Sequence, residues 1–404
     1  MNATAVVTGV GVTAPNGLGT DAYWAATLRG ENGIDRLAHF DPSGYPVQLA
    51  GEVPGFDVKE HLPNRLIPAT DRTTQLALTA TAWALDDAHV VPADLSEFGM
   101  GVTTAASAGG FEFGQQQLEK MWSEGNQHVS AYQSIAWFYA VNTGQISIRH
   151  GMRGPSGVLV SEQAGGLDAV AQARRQIRKG SDLIVSGGVD GPFCSWSLVS
   201  QWTSGRLTES SDPDHAYQPF DSAAAGHVPG EGGAILVVES EQSARRRGVT
   251  DSYGEVAGYA ATFDPRPGSE REPGLRRAIE TALAEARVSP ADVDVVFADA
   301  AGDPDLDLVE ARAIAEVFGP GAVPVTAPKT MTGRLYGGGA PLDLVAALLS
   351  IRDNIIPPTV NVVLAPRYEI DLVSGTPRNA SVNTALVLAR GQGGFNSAVL
   401  LRAT

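Results

Sequence analysis

One stretch constrains this chain more than any other: Val158-Leu159-Val160-Ser161-Glu162-Gln163-Ala164-Gly165-Gly166-Leu167-Asp168. Its three leading apolar residues predict a short buried strand, and Glu162 to Gly166 predict a tight turn. Leu167, Val170, Ala171 and Ile177 then recur at helical spacing as far as Lys179, and Gly180 closes the helix. Residues 182–188 predict the next buried strand. Gln163 therefore falls on a strand-to-helix elbow, beside free N–H groups of a helix N-terminus. Enzymes put nucleophiles at such elbows because those N–H groups hold an oxyanion. A side-chain amide has no titratable proton and forms neither a thioester nor an acyl ester. The elbow is built for a nucleophile that the residue at its tip cannot be.

The remaining bounds are broad. A chain of 404 residues with 43% hydrophobic content folds as one large α/β unit or as two fused halves. No apolar run approaches the ~20 residues that span a bilayer, and the N-terminus lacks the basic start and apolar core of a signal peptide. The single cysteine, Cys194, excludes an internal disulfide framework. A soluble cytoplasmic protein is expected. A net charge of −16 argues against nucleic acid as a partner. Two basic clusters, Arg174, Arg175, Arg178 and Lys179, then Arg245, Arg246 and Arg247, are expected to be solvated helix faces; the alternative is a landing patch for an acidic partner. Gly9-x-Gly11-x-x-Ala14 superficially matches a dinucleotide fingerprint. Pro15, Asn16 and Gly17 interrupt the helix that motif needs, and no acidic residue follows a second strand at the right distance.

Along the chain, helices are predicted over 21–29, 71–88, 111–122, 274–287, about 306–318, and after the glycine run 337–339. Strands are predicted near 4–8, 99–104, 254–259, 293–299, 381–388 and 396–400, with surface loops over 31–68. Strand and helix alternate in both halves, 1–248 and 249–404, which predicts a duplicated α/β architecture with buried sheets. Phe111, Gly114 and Leu118 share one helix face. Glycine inside a helix costs about 1 kcal/mol relative to alanine, so something approaches that face closely: a packing helix or a ligand channel. Ile135, Trp137, Phe138 and Tyr139 form an aromatic run that belongs to a core or to a subunit interface.

Taken together, Val6-Val7-Thr8-Gly9-Val10-Gly11, Pro219-Phe220-Asp221, Gly230-Glu231-Gly232, residues 328–334 (Pro-Lys-Thr-Met-Thr-Gly-Arg), Gly394-Phe395-Asn396-Ser397 and above all Glu162-Gln163-Ala164-Gly165-Gly166 resemble a β-ketoacyl synthase of the thiolase fold. The closer resemblance is to the ketosynthase-like chain length factor, the β-subunit of type II aromatic polyketide synthases, and it covers essentially the whole chain. It implies a layered α-β-α-β-α fold. Catalytic members place cysteine at the elbow and need two histidines to decarboxylate the extender and steady the enolate. Here Gln163 replaces the cysteine, and the family's motifs put Asp299 and Arg334 where the histidines are expected. None of the seven histidines occupies either place. Lys329 and Glu310 remain and are expected to form a structural ion pair.

The resemblance implies a non-condensing subunit with no cofactor or metal of its own. Its implied partners are a catalytic ketosynthase α-subunit, bound as a heterodimer, and an acyl carrier protein whose phosphopantetheine arm delivers malonyl units. The poly-β-keto chain would enter a tunnel at the dimer interface. Phe111, Gly114 and Leu118 match the tunnel's gating positions, with Ile135 and Trp196 beside them. Small Gly114 and medium Leu118 imply room for a long chain, beyond an octaketide. For Gln163 the resemblance leaves two roles, assisting malonyl decarboxylation or filling the vacated cysteine pocket. Two other classes compete: an independent acyltransferase working through Cys194, which would have to carry an acyl adduct, and a dinucleotide-dependent oxidoreductase, which would have to bind nicotinamide.

Overall fold

The computed structural model describes residues 3–266 and 268–404. Its frame is a 12-stranded sheet. From edge to edge run Asp371–Leu372, Pro324–Thr326, Val295–Phe297, Thr384–Gly391, Phe395–Arg402, Gly254–Phe263, Ala5–Ala14, Gly232–Ser240, Leu183–Asp190, Met100–Ala105 and Ser156–Leu159, with Gly17–Leu18 folded back on Ala5–Ala14. Both outer parts pair in parallel and the middle pairs antiparallel. Ala5–Ala14 meets Gly254–Phe263 only through Val6 with Glu255 and Val7 with Gly254. That short seam divides the sheet into two blades.

Helices Gln163–Arg178 and Gly339–Asp353 fill the space between the blades. One apolar cluster joins Val10, Val12 and Leu236 of the first blade to Val295, Val387 and Val399 of the second through Leu167, Val170, Leu344 and Leu348. The outer faces are covered separately. Leu76 and Leu78, from helix Arg72–Asp87, pack on Val102, Val185 and Val237. Ile279 and Ile314, from helices Leu275–Ala286 and Pro304–Phe318, pack on Val296, Leu386 and Leu400. Strand side chains alternate between faces, so Val295 and Phe297 point to the inner cluster while Val296 points to the outer one. The result is the helix–sheet–helix–sheet–helix order of the thiolase-like fold. Its central helix, buried from Gly339 through Ile351, has no polar face, as a helix enclosed on all sides requires.

Several expectations need correction. The strand before the elbow is Ser156–Leu159, a half-exposed edge strand, and Val160 lies outside it and is exposed. The turn is confined to Glu162; Gly165 and Gly166 are already helical. Gly166 is needed for packing, since a Cβ there would lie 2.2 Å from Cδ of Pro341 on the neighbouring central helix. Gly9 and Gly11 lie within strand Ala5–Ala14, where helix Arg72–Asp87 crosses so closely that Cβ atoms would sit 2.3 Å from the Ala84 carbonyl and 2.0 Å from that of Ala80. These glycines serve helix–sheet contact and open no helix. Segment 31–68 carries the paired strands Ile34–Arg36 and Leu49–Gly51. The basic clusters are not wholly solvated: buried Arg174 binds Glu285 and the Ala257 carbonyl, and Arg247 binds the buried Glu239. Among the described residues no helix is long and apolar enough to cross a membrane.

Candidate functional site

The elbow is strained where it turns. Glu162, the residue before the helix, adopts φ 52° and ψ −130°, a conformation non-glycine residues occupy only when their surroundings enforce it. Two sets of bonds do so. Its carboxylate accepts the Gln392 N–H at 2.5 Å from the loop beyond strand Thr384–Gly391. Asp168, further along the helix, accepts the hydroxyls of Ser161, Tyr259 and Ser397 and so ties the elbow to the second blade.

Gln163 follows at the first helical position and is 0% exposed. Among the described residues neither atom of its amide has a hydrogen-bond partner, which costs about 1–3 kcal/mol of unrecovered hydration. The amide presses on Gly339, where a Cβ would come within 2.5 Å of Gln163 Nε2.

Asp299 lies just beyond strand Val295–Phe297, and Arg334 follows the turn Pro328–Met331. They meet as a bidentate pair, with Arg334 Nη2 3.1 Å from Asp299 Oδ1 and Nη1 3.2 Å from Oδ2. Arg334 also donates to the carbonyls of Asp299 and Arg390, and Asp299 accepts the Arg390 N–H at 2.8 Å. Burial works against charge on both, but each outweighs it for the other. Arg334 and Lys329 hold the Asp299 carboxyl below its ordinary value, and Asp299 holds Arg334 well above its own. Both are charged and saturated, so neither exchanges a proton near neutrality.

Lys329 does not pair with Glu310 as expected. Its Nζ lies 2.7 Å from Asp343 and donates to the Ala298 and Asp299 carbonyls. Glu310 instead accepts the N–H groups of Asp299 and Ala300 at 2.6 and 2.8 Å, and burial raises its pKa. Both side chains hold the segment that presents Asp299.

Glu162, Asp299, Arg334 and Arg390 line a cavity of about 640 Å³. Glu162, not Gln163, is the elbow residue that lines it, with Asp190, Asp264, Asp299 and Asp303 against Arg206, Arg334 and Arg390. Burial pushes Glu162 and Asp190 upward. A lining richer in carboxylates than in guanidiniums, with Arg334 already saturated, is poorly suited to a malonyl carboxylate. His227 also lines the cavity; burial, reinforced by Arg334, pushes its imidazole well below the ordinary value. In the sequence Glu162 stands out only as part of the elbow motif, and His227 and Arg390 carry no motif of their own. Only the glycines flanking residues 226–233 and 391–394 mark their loops as close-packed.

Cys194 does not support an acyltransferase. Burial pushes its thiol up to about 11, far from the thiolate that attack requires, and its sulfur accepts the Ser197 N–H. Among the described residues no group of acidic, histidine or cysteine side chains could hold a metal.

The remaining site residues gather on a different face. Helix Phe111–Ser123 carries Phe111, Gly114 and Leu118. Phe111 lines the cavity and stacks on Trp196, with ring centroids 4.7 Å apart and planes 8° from parallel. Gly114 faces a notch in which a Cβ would stand 3.6 Å from Trp137 Cβ and 3.8 Å from Trp196 Cζ3. A methyl fits there and a large side chain does not. Leu118 is 40% exposed, Ile135 on the short helix Gln133–Ala136 is 53% exposed, and Trp137, Phe138 and Tyr139 are exposed beside them. An apolar surface of this kind marks an interface.

The chain matches two protein families in succession: the β-ketoacyl synthase N-terminal domain over residues 3–244 and the β-ketoacyl synthase C-terminal domain over residues 253–363. It is 62% identical to the tetracenomycin polyketide synthase ketoacyl synthase beta subunit of Streptomyces glaucescens, over 98% of each chain. Among solved structures, the ishigamide ketosynthase/chain length factor superimposes with a TM-score of 0.91 at 27% identity, over 100% of both chains. A type II polyketide synthase acyl carrier protein in complex with its ketosynthase bound to the hexaketide matches with a TM-score of 0.88 at 25% identity, again over 100% of both chains.

Proposed function

The chain belongs to the β-ketoacyl synthase family, among the ketosynthase β-subunits, or chain length factors, of type II polyketide synthases, and from that premise we propose that it contributes shape and no bond-making. Paired with a catalytic ketosynthase α-subunit, it walls the interface tunnel into which a poly-β-keto chain grows. The growing chain stays on the partner's cysteine, fed by malonyl units on the phosphopantetheine arm of an acyl carrier protein. This chain needs no cofactor of its own, and its site in the cell is the cytoplasm. The two halves, 1–248 and 249–404, are read as duplicated units that place the elbow and the Asp299–Arg334 pair opposite one another.

One observation carries the proposal: the elbow holds Gln163, and Asp299 and Arg334, which the resemblance sets at the two histidine positions, saturate each other at 3.1 Å. Without a thiolate or an imidazole there, condensation has neither nucleophile nor proton shuttle. The buried, unpartnered amide of Gln163, outside the cavity lining, supports the filling role over help in malonyl decarboxylation. The exposed aromatic face around Gly114 supports the tunnel.

The test is Gly114→Trp in a complex reconstituted with the α-subunit and carrier protein, with products sized by mass spectrometry. Indole cannot fit the notch between Trp137 and Trp196 without protruding into the channel, so products shorten by one or more ketide units. The parental distribution, a chain longer than an octaketide by this reading, would persist only if the face does not wall the tunnel.

A further inference from the structure

Helix Ser195–Trp202 begins poorly. Its N-cap is Cys194, whose sulfur is a weak acceptor and holds only the Ser197 N–H, at 3.4 Å. The residues that usually cap helices, Ser, Thr, Asp and Asn, supply an oxygen at this place. The first turn therefore lacks a good local acceptor, and Trp196 is its second residue.

The missing acceptor comes from helix Phe111–Ser123, the gate helix of the tunnel reading. Gln115 Oε1 accepts the Trp196 N–H at 2.9 Å and the Ser195 hydroxyl at 3.0 Å. The other end of the same amide is fixed, since Gln115 Nε2 donates to Glu119 one helical turn away at 2.9 Å. Gln115 is thus a cap supplied from a different element, and it joins the backbone carrying Trp196 to the helix carrying Phe111 and Gly114. The near-parallel stack of Phe111 on Trp196 and the 3.8 Å approach of Trp196 to a Cβ at Gly114 both depend on where that backbone sits. Trp196 is 44% exposed, so packing alone does not fix its ring.

We propose that Gln115 is a specificity-determining positioning residue. By capping helix Ser195–Trp202 from the gate helix, it sets the Phe111–Trp196 stack and hence the width of the passage at Gly114. The proposal rests on the tunnel reading above. Gln115 itself need not touch the growing chain.

The test uses the heterodimer with its carrier protein and reads the ratio of adjacent product lengths, a quantity independent of total turnover. Gln115→Leu keeps the volume and removes the acceptor. It should change that ratio about threefold or more, the scale of one lost hydrogen bond. The exchanged pair Gln115→Glu with Glu119→Gln keeps an acceptor toward Trp196 and the bond along the helix, so it should return the parental ratio. Gly114→Trp run alongside separates the two readings. If it too leaves product length unchanged, the tunnel reading fails. If it shifts product length while Gln115→Leu gives the parental ratio, or if the exchanged pair behaves like Gln115→Leu, the role of Gln115 is overturned. Should Gln115→Leu not assemble, Gln115→Asn withdraws the acceptor by one methylene and is judged by the same two outcomes.

Discussion

The floor of the cavity, at Asp299 and Arg334, and the face around Gly114 are built on opposite terms. At the floor, Arg334 and Asp299 line the cavity as a buried, bidentate ion pair, and Lys329 and Asp343 form a second buried pair. At the face, Leu118, Ile135, Trp137 and Trp196 are apolar and left open to solvent. In a condensing enzyme the floor must stay reactive, with a nucleophile and proton donors only partly satisfied until substrate arrives. Here the floor is closed by its own ion pairs, and the unsatisfied surface has moved to the face. Unsatisfied apolar surface is what a partner or a growing hydrocarbon chain can use. The contrast assigns rigidity to one region and recognition to the other, and it can be broken at either.

The largest effect is expected at the floor. Arg334→Met leaves Asp299 buried without its counter-charge and should destabilise the complex by about 3–5 kcal/mol. The double variant Asp299→Ala with Arg334→Met should cost less than the single one, because no stranded charge remains. Urea unfolding of both variants decides this; a single variant no worse than the double would show that the floor is not held by its pairing. The pH dependence follows the same logic. Arg334 holds the Asp299 carboxyl below its ordinary value, so the stability it adds is fully present above the unfolded-state value of about 3.9 and is lost as pH falls through the lower folded-state value.

A smaller effect is expected where the face is anchored. Asp71 caps helix Arg72–Asp87 by accepting the Thr73 N–H, and its other oxygen accepts the Phe113 N–H in the first turn of helix Phe111–Ser123, both at 2.9 Å. Burial pushes its carboxyl up to about 6. The folded chain thus binds this proton more tightly than the unfolded one, and the Asp71 contribution to stability falls as pH rises from about 4 to about 6. Asp71→Asn should flatten that part of the stability–pH profile. At pH 7 it should cost about 1–2 kcal/mol, because an amide cannot accept both N–H bonds. Denaturation midpoints at pH 4.5, 5.5 and 7 would check both; an unchanged slope would mean that Asp71 does not couple the two helices.

How much of this was legible in the sequence differs between the two regions. The elbow and the alternation of strand and helix could be read directly, because spacing and residue type decide them; Asp299 and Arg334 are reached only through the family resemblance. The partner of Lys329 could not. Asp343 and Glu310 are both carboxylates at plausible distances along the chain, and only the packing of helix Gly339–Asp353 selects Asp343. Glu310 was readable as retained but not as an acceptor for two backbone amides. Arg174 carries a signal of burial that its charge masks: it falls on the same helical stripe as Leu167, Val170, Ala171 and Ile177. Gly165 and Gly166 suggest a turn because glycine favours turns; in the fold Gly166 allows two central helices to touch, and Gly165 faces Leu159, Ser161 and Ala105.

The smallest effect is expected at Gln163, and it tests the contrast most sharply. If the amide only fills the place of a nucleophile, then its volume matters and its polarity does not. Both polar atoms are buried and, among the described residues, unpartnered, so Gln163→Met removes an unsatisfied amide while keeping an unbranched chain of similar length. Volume-conserving swaps of this kind usually cost less than about 1.5 kcal/mol, and here the lost desolvation penalty offsets that cost. Stability should stay within about 1 kcal/mol of the parent or rise, with product length unchanged. Unfolding and product sizing on the same heterodimer preparation measure both. A variant equally stable but at least tenfold slower in malonyl decarboxylation would place chemistry back at the elbow, because a filler cannot lose a rate while keeping its fold. Gln163→Cys completes the argument from the other side. A thiol restored beside a saturated Asp299–Arg334 pair still has no imidazole to assist it, so the chain should take up acyl groups poorly and form no carbon–carbon bond on its own.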